Sequence, residues 1–287
     1  MKAGFIGLGA MGEPMAGHLA RAGLLAVVGN RSTDKAQRIA AELGVVAAAD
    51  AAAFRICDAV ALCVSADADV LQQVDALAAA LRPGSVVIDH STVSADTAHA
   101  AAQRLGEAGI GFVDAPVSGG VEGAKNGKLS VMAGGSEADV ALAGPLLDTY
   151  AQRVTHMGAV GSGQATKAVN QVLVAGIAQG VTEGLALGEK LGLDPDKLIP
   201  TLLAGAAGNW FLDKRGATML RDEFAVGFKL ALLHKDLRIV AEMAKQAGIR
   251  PVIIEQSLAD YAELMALGRG DDDISALIAL KRGFSAG

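Results

Sequence analysis

Lys167 and Asn170 stand three residues apart in the stretch Gly161 to Gly192, GSGQATKAVNQVLVAGIAQGVTEGLALGEKLG. That stretch reads as one long helix of small and aliphatic side chains, expected to be buried on nearly every side. A spacing of three puts the ammonium and the amide on one helix face. Two polar groups at the head of a buried helix are costly unless they meet a partner or a ligand. The plainer alternative is a Lys167 whose stem lies along the surface with its head in water. A lysine whose pKa is lowered by burial and by a neighbouring cation such as Lys235 can give and take a proton near neutral pH. A second constellation is Ser118-Gly119-Gly120. A hydroxyl followed by backbone N–H groups without side chains makes a cradle for an anion such as a substrate carboxylate, unless it is only a turn between Val117 and Val121.

The third constellation is Gly7-Leu8-Gly9-Ala10-Met11-Gly12, placed between a strand, Lys2 to Ile6, and a helical run to Ala22. Strand, G-x-G-x-x-G and helix in that order suit a dinucleotide: a tight turn, a close approach for pyrophosphate, and a helix N-terminus offering N–H groups to phosphate. The next strand, Leu25 to Gly29, ends in Asn30-Arg31-Ser32. An acidic residue there would bind the ribose 2′-hydroxyl of NAD, whereas Arg31 and Ser32 suit a 2′-phosphate, so NADP(H) is favoured over NAD(H). A merely solvated Arg31 is the bland reading. Ligands of such sheets bind beyond the carboxyl ends of the strands. That rule singles out Val64 and Ser65 after one strand and Asp89-His90-Ser91-Thr92 after another. His90 is the histidine nearest that edge, although loop histidines are more often structural.

These groups need a scaffold of alternating strands and helices. Further strands are expected at Ala59 to Val64, Ser85 to Asp89, Phe112 to Asp114, Lys128 to Gly134 and Arg153 to Met157, with Ser136 capping a helix to about Tyr150. From Asp194 on the periodicity is only helical: helices to about Leu203, from Asn209 to Arg221, over Gly227 to Ala247 with Lys235-Asp236, and from Pro251 to Leu267. Asp271-Asp272-Asp273 is expected to cap a last one near Arg282. Glycines at 176, 180, 184, 188 and 192 line one flank of the long helix, an arrangement that lets another helix come close.

The 287 residues suffice for two domains, and the composition is 52% hydrophobic with only 3% aromatic. A net charge of −6 with interspersed signs gives no basic stripe for nucleic acid. Asn170, Gln171, Gln179, Thr182 and Glu183 interrupt the long helix, against a membrane span. Cys57 and Cys63 flank one strand as buried small residues of a cytoplasmic protein, and no secretory leader pattern precedes the first strand. No HExxH, CxxC, GxSxG or P-loop occurs, and no metal is expected.

GFIGLGAMGEPMA, DAPVSGG, GSGQATKAVNQ and HKDL, in this order across almost the whole chain, resemble the β-hydroxyacid dehydrogenases. These include 3-hydroxyisobutyrate dehydrogenase, tartronate semialdehyde reductase and the glyoxylate/succinic semialdehyde reductases. The resemblance implies an α/β Rossmann-type doubly wound sheet domain (1–162) followed by an all-α C-terminal domain (163–287, opening on a linking helix of about 163–192), with the active site in the cleft between them. It implies Lys167 as the catalytic acid/base, Asn170 as the residue that positions substrate, and Ser118, Gly119 and Gly120 as the carboxylate site. Thr92 and Lys235 match positions near the nicotinamide end of the cofactor, Lys235 counting with the substrate residues as well, and Asp236 belongs to the same block. The cofactor set is then Gly7, Leu8, Gly9, Ala10, Met11, Gly12, Asn30, Arg31, Ser32, Val64, Ser65, Thr92, Lys235 and Asp236. Asn30-Arg31-Ser32 looks like the NADPH-using branch. Gly208-Asn209-Trp210-Phe211 lies where members differ and is expected to shape the pocket. A homodimer or homotetramer through the C-terminal helices is implied.

The expected reaction is hydride transfer between NADP(H) and a short carboxylate-bearing aldehyde or its hydroxy acid. Three alternatives stand beside it. One is an NAD-dependent 3-hydroxyisobutyrate dehydrogenase. Another is an imine reductase, a class that places aspartate or tyrosine where Lys167 stands. The third is a non-catalytic NADPH-binding protein, a kind that loses the lysine.

Overall fold

In the computed structural model, which describes residues 1–283, the apolar runs of the first half become β1 (Ala3–Ile6), β2 (Leu25–Gly29), β4 (Ala59–Leu62), β5 (Val86–Asp89) and β6 (Gly111–Asp114). A two-residue strand that the sequence did not signal, β3 (Val46–Ala47), joins them at one edge. The parallel order is β3-β2-β1-β4-β5-β6. Beyond it, β8 (Leu129–Gly134) runs antiparallel to β6 and to the short β7 (Val117–Ser118), and pairs in parallel with β9 (Ala151–Gly158).

Both faces of the sheet are covered, which is why its strands read as continuous apolar runs. Successive side chains alternate between two cores: Ala59 and Ala61 enter one, Val60 and Leu62 the other. The covering helices are α1 (Gly12–Arg21), α2 (Thr33–Leu43), α3 (Asp67–Ala80), α4 (Ala95–Glu107), α5 (Gly120–Asn126) and α6 (Glu137–Leu147). Ser32, Ser94 and Ser136 cap α2, α4 and α6 by accepting from the backbone N–H of Lys35, Thr97 and Asp139, each worth about 1 kcal/mol against alanine.

The second half is helical: α7 (Ser162–Lys190), α8 (Pro195–Leu203), α9 (Trp210–Leu220), α10 (Leu230–Gln246), α11 (Val252–Ala266) and α12 (Ile278–Lys281). Its core gathers Ala175, Ala178 and Leu185 of α7 with Leu233, Leu237, Tyr261 and Leu277. Of the acidic triplet only Asp273 caps, and it caps a 3₁₀ turn, Ile274–Leu277, that leads into α12. The chain divides into two compact units, residues 1–167 and 168 onward, and the division falls inside α7. Among the described residues no helix is long and apolar enough to cross a membrane.

Helix α7 corrects one expectation. It is not buried on nearly every side: Val169, Leu173, Ile177 and Leu187 are exposed. Nor is its glycine flank packed throughout. A Cβ on Gly180 or Gly184 would meet nothing within 4 Å, whereas one on Gly188 would press on Leu198. Small and aliphatic residues have the same composition whether a helix face is covered or open, so composition alone could not separate the two.

Candidate active site

The glycine turn after β1 is shaped by contacts that only glycine allows. Gly7 has φ +97°, and a Cβ there would run into the Cys63 carbonyl oxygen; a Cβ on Gly12 would run into the Gly7 carbonyl. These two positions press β1, β4 and α1 together. Gly9 is the opposite case, exposed and with nothing within 4 Å of a would-be Cβ, which leaves open backbone for a pyrophosphate. Met11 and Ala10 beside it are at least partly exposed, and α1 carries no side-chain cap on its first N–H groups. The turn therefore fits a dinucleotide.

Asn30 ties that turn to the end of β2: its Oδ1 accepts from Leu8 N–H at 3.0 Å and its Nδ2 donates to the Ser32 carbonyl at 3.3 Å. Arg31 and Ser32 are exposed at the same edge. The ends of β4 and β5 are joined by Val64 N–H donating to Ser91 Oγ at 2.9 Å, with Ser65 exposed and Thr92 half-buried.

The stretch read as an anion cradle is part strand and part helix. β7 ends at Ser118, Gly119 (φ +128°) is the N-cap of α5, and Gly120 (φ +60°) opens it. Lys167, only 8% exposed, reaches this segment, its Nζ donating to the Val117 carbonyl at 2.9 Å. The ammonium therefore lies one peptide from Ser118.

Two buried groups aim α7. Asp114, at the end of β6, accepts from Gly161 N–H and Gln164 N–H at 2.8 Å each, satisfying the helix start with a carboxylate. Gln164 donates to the Ser91 carbonyl at 2.8 Å and accepts from Val93 N–H at 3.2 Å, so the loop carrying Thr92 and the first turn of α7 are one network.

His90 is not presented to ligand. It is buried, with Nδ1 2.7 Å from the Ala115 carbonyl and Nε2 2.7 Å from Tyr150 Oη. A carbonyl only accepts, so Nδ1 carries the proton and Nε2 accepts from the phenol. Burial pushes its pKa down to about 4, which keeps the ring neutral.

Asp89 is fully buried, its Oδ1 accepting from Ser91 N–H at 2.9 Å and its Oδ2 lacking a hydrogen-bond partner. Burial raises its pKa to about 7. A raised carboxyl pKa stabilises the fold fully below the unfolded value of about 4, and that contribution is lost as pH rises through about 7. Asp89→Asn should therefore gain stability relative to wild type between pH 5 and pH 8, on the order of 2–3 kcal/mol. Paired thermal melts at the two pH values measure it; a pH-independent difference would show that this carboxyl does not titrate there.

On the C-terminal unit, Asn170 Nδ2 donates to Gln171 Oε1 at 2.8 Å, Gln171 Nε2 donates to Asp236 Oδ2 at 2.7 Å, and Lys235 Nζ pairs with Asp236 Oδ1 at 2.8 Å. The carboxylate of Asp236 is thus buried and turned inward to Gln171 and Lys235. Asn209 caps α9 and lines a groove of about 410 Å³ with Ile177, Val181, Leu202 and Leu212. Trp210 is exposed and Phe211 joins the helical core. Among the described residues no group of three His, Cys, Asp or Glu side chains could hold a metal ion.

Comparison with known proteins decides the family. Residues 2–158 match the family described as the NAD binding domain of 6-phosphogluconate dehydrogenase. Residues 161–281 match the family described as NAD-binding of NADP-dependent 3-hydroxyisobutyrate dehydrogenase. The chain belongs to the β-hydroxyacid dehydrogenase family, of the 3-hydroxyisobutyrate dehydrogenase type. The 2-hydroxy-3-oxopropionate reductase of Escherichia coli (strain K12) is 34% identical to it over 87% of this chain and 86% of that one. The solved structure of Mycobacterium tuberculosis 3-hydroxyisobutyrate dehydrogenase with L-serine superposes with a TM-score of 0.88 at 30% identity, covering 98% of this chain and 99% of that one. A second solved structure, described as Psf3 in complex with NADP+ and 2-OPP, gives 0.87 at 26% identity over 97% and 99%.

As a β-hydroxyacid dehydrogenase the protein is an NAD(P)-dependent oxidoreductase, with a Rossmann-type sheet and an all-helical C-terminal region. Three residues of its polar networks had no role in the sequence reading: Asp114, Gln164 and Gln171. For two of them the signal was available, since Gln164 and Gln171 are amides in a helix in which small and aliphatic residues predominate.

Proposed function

We propose that this β-hydroxyacid dehydrogenase interconverts a short carboxylate-bearing aldehyde and its hydroxy acid with NADP(H), and that Lys167 is the general acid/base. The observation that carries the reading is the Lys167 ammonium, nearly buried and 2.9 Å from the Val117 carbonyl, one residue before Ser118-Gly119-Gly120. An ammonium beside that stretch favours a carboxylate substrate electrostatically. The bound nicotinamide supplies a hydride donor or acceptor. Lys167 donates a proton to the forming alkoxide in reduction and takes it back in oxidation, help typically worth about 10²–10⁴-fold. Ser118 and the backbone N–H groups of Gly119 and Gly120 hold the carboxylate, and Asn170 and Lys235 are further substrate-contacting groups. Gly7 to Gly12 would hold the pyrophosphate. Arg31 and Ser32, exposed and without an acidic neighbour at position 30, suit a 2′-phosphate. Thr92, Val64 and Ser65 complete the cofactor edge.

The exposed apolar side chains Val169, Leu173 and Ile177, at four-residue spacing on α7, support assembly of a homodimer or homotetramer, since exposed apolar patches mark association surfaces.

The reading is tested by following NADPH and NADH oxidation with glyoxylate, succinic semialdehyde, tartronate semialdehyde and methylmalonate semialdehyde. Turnover of at least one, with kcat/KM at least tenfold higher for NADPH, is expected. Tight NADPH binding without turnover of any would favour a non-catalytic binding protein. A preference for NADH would overturn the role given to Arg31.

A further inference from the structure

Ser65 and Thr92 stand in two neighbouring loops, one after β4 and one after β5, and the chain is held on either side of each. In the first loop Val64 N–H donates to Ser91 Oγ at 2.9 Å. In the second, Ser91 N–H donates to Asp89 Oδ1 at 2.9 Å, the Ser91 carbonyl accepts from Gln164 at 2.8 Å, and Val93 N–H donates to Gln164 Oε1 at 3.2 Å. A single side chain closes both brackets: Asp67, the first residue of α3. Its Oδ1 accepts from Ser94 N–H at 3.0 Å, from Ser94 Oγ at 2.9 Å and from Thr97 Oγ1 at 2.6 Å. Ser94 Oγ, the N-cap of α4, accepts from Thr97 N–H at 3.1 Å, which leaves its one proton to give. Helix α3 has no side-chain cap at Ala66, so its start is fixed by the neighbouring α4 and not by a cap of its own. Burial opposes the charge on Asp67, but the hydrogen bonds from Thr97 and Ser94 outweigh it and hold the carboxyl below its ordinary value. The acceptor is therefore an anion at neutral pH, and charge-assisted hydrogen bonds are the stronger kind.

We propose that Asp67 is a positioning residue for the nicotinamide half of the cofactor, joining the β4 and β5 loops into one fixed edge before the cofactor arrives. The inference rests on the reading that the dinucleotide lies along the carboxyl ends of the strands. Sheet order gives its direction. A 2′-phosphate at the end of β2 and a pyrophosphate at the turn after β1 leave the rest of the molecule to run over β4 and then β5, in the order β2-β1-β4-β5. Neighbouring strands lie about 5 Å apart, so the far half of an extended dinucleotide reaches the loops that carry Ser65 and Thr92. Asp67 contributes order: a loop already fixed does not have to be ordered by the ligand, and that saving appears as affinity.

The test is Asp67→Ala in the full-length enzyme, with NADPH and adenosine 2′,5′-bisphosphate titrated separately by calorimetry. The second probe carries the 2′-phosphate, the ribose and the adenine but no nicotinamide. Asp67 and Ser94 are half-buried, so water can reach the donors that the variant releases, and the fold is expected to persist. Kd for NADPH should rise about tenfold or more, while Kd for the bisphosphate stays within twofold of wild type. Wild-type affinity for NADPH would overturn the proposal, as would equal losses for both probes, since a merely structural role weakens the whole domain and not one end of the ligand. Asp67→Asn keeps an acceptor oxygen in the same place and should recover most of the lost NADPH affinity. An Asn variant as weak as the Ala variant would contradict the role given to the acceptor. Thr97→Val keeps the shape and removes the 2.6 Å donor, and it provides a second reading should Asp67→Ala not fold. A loss of about threefold, again confined to NADPH, is expected of it; wild-type affinity there would overturn the proposal too. Gly9→Ala separates this inference from the one beneath it. NADPH affinity unchanged by Gly9→Ala sinks the reading of the cofactor edge, whereas weakened binding there with a silent Asp67→Ala sinks only the role given to Asp67.

Discussion

Lys167→Ala should lose about 10²–10⁴-fold in kcat while retaining its fold and its affinity for NADPH. The expected size follows from what is removed. The side chain is 8% exposed and its Nζ lies 2.9 Å from the Val117 carbonyl, so no bulk water replaces the lost acid with comparable geometry. The vacated carbonyl costs about 1–3 kcal/mol as an unsatisfied acceptor, enough to lower Tm by several degrees without unfolding a chain of this size. Asp114 and Gln164 still hold the start of α7 through backbone N–H groups and the Ser91 carbonyl, so the helix stays in place. Steady-state turnover with NADPH titrated separately by fluorescence distinguishes the two effects. A rate within threefold of wild type would remove Lys167 from the chemistry.

The second large effect is expected at the glycine turn, where two neighbouring glycines should fail in different ways. Gly7→Ala forces a side chain onto φ +97° and into the Cys63 carbonyl of β4. The backbone strain alone is of order 1–3 kcal/mol, and the clash is with main chain, which cannot swing aside. Loss of thermal stability together with at least 100-fold weaker NADPH binding is expected. Gly9→Ala adds a Cβ that meets no protein atom within 4 Å. Its Tm should match wild type, while NADPH binds at least tenfold more weakly if, as proposed, that open space receives the pyrophosphate. Calorimetric titration beside thermal melts checks both variants. Equal NADPH affinity in wild type and Gly9→Ala would move the phosphates away from this turn.

Much of this was readable before any coordinates. The glycine turn is legible because a tight turn between strand and helix constrains both residue type and spacing, and β2 runs over the residues expected, Leu25–Gly29. The sheet strands are legible because burial on both faces produces short unbroken apolar runs. Ser118 to Gly120 was harder: a two-residue strand and a seven-residue helix are too short to show a period. The exposure of Leu173 and Leu187 on α7 was hidden because nothing in an alanine- and glycine-rich helix tells which side is covered. Gln171 lay beside a recognised residue, but its meaning depends on Asp236, 65 positions away, and no local pattern reveals such a partner. His90 shows the reverse: its type and place suggested chemistry, and burial against Tyr150 and Ala115 gives it a structural task.

The most direct test of the central claim is chemical rescue of Lys167→Ala by small primary amines. If the 167 ammonium supplies the proton, adding methylamine or ethylamine should restore NADPH-dependent reduction in proportion to amine concentration, with rates that follow amine pKa once size is allowed for. An inactive variant that gains nothing from any amine, while still binding NADPH and substrate with wild-type affinity, would contradict the assignment of the proton to Lys167.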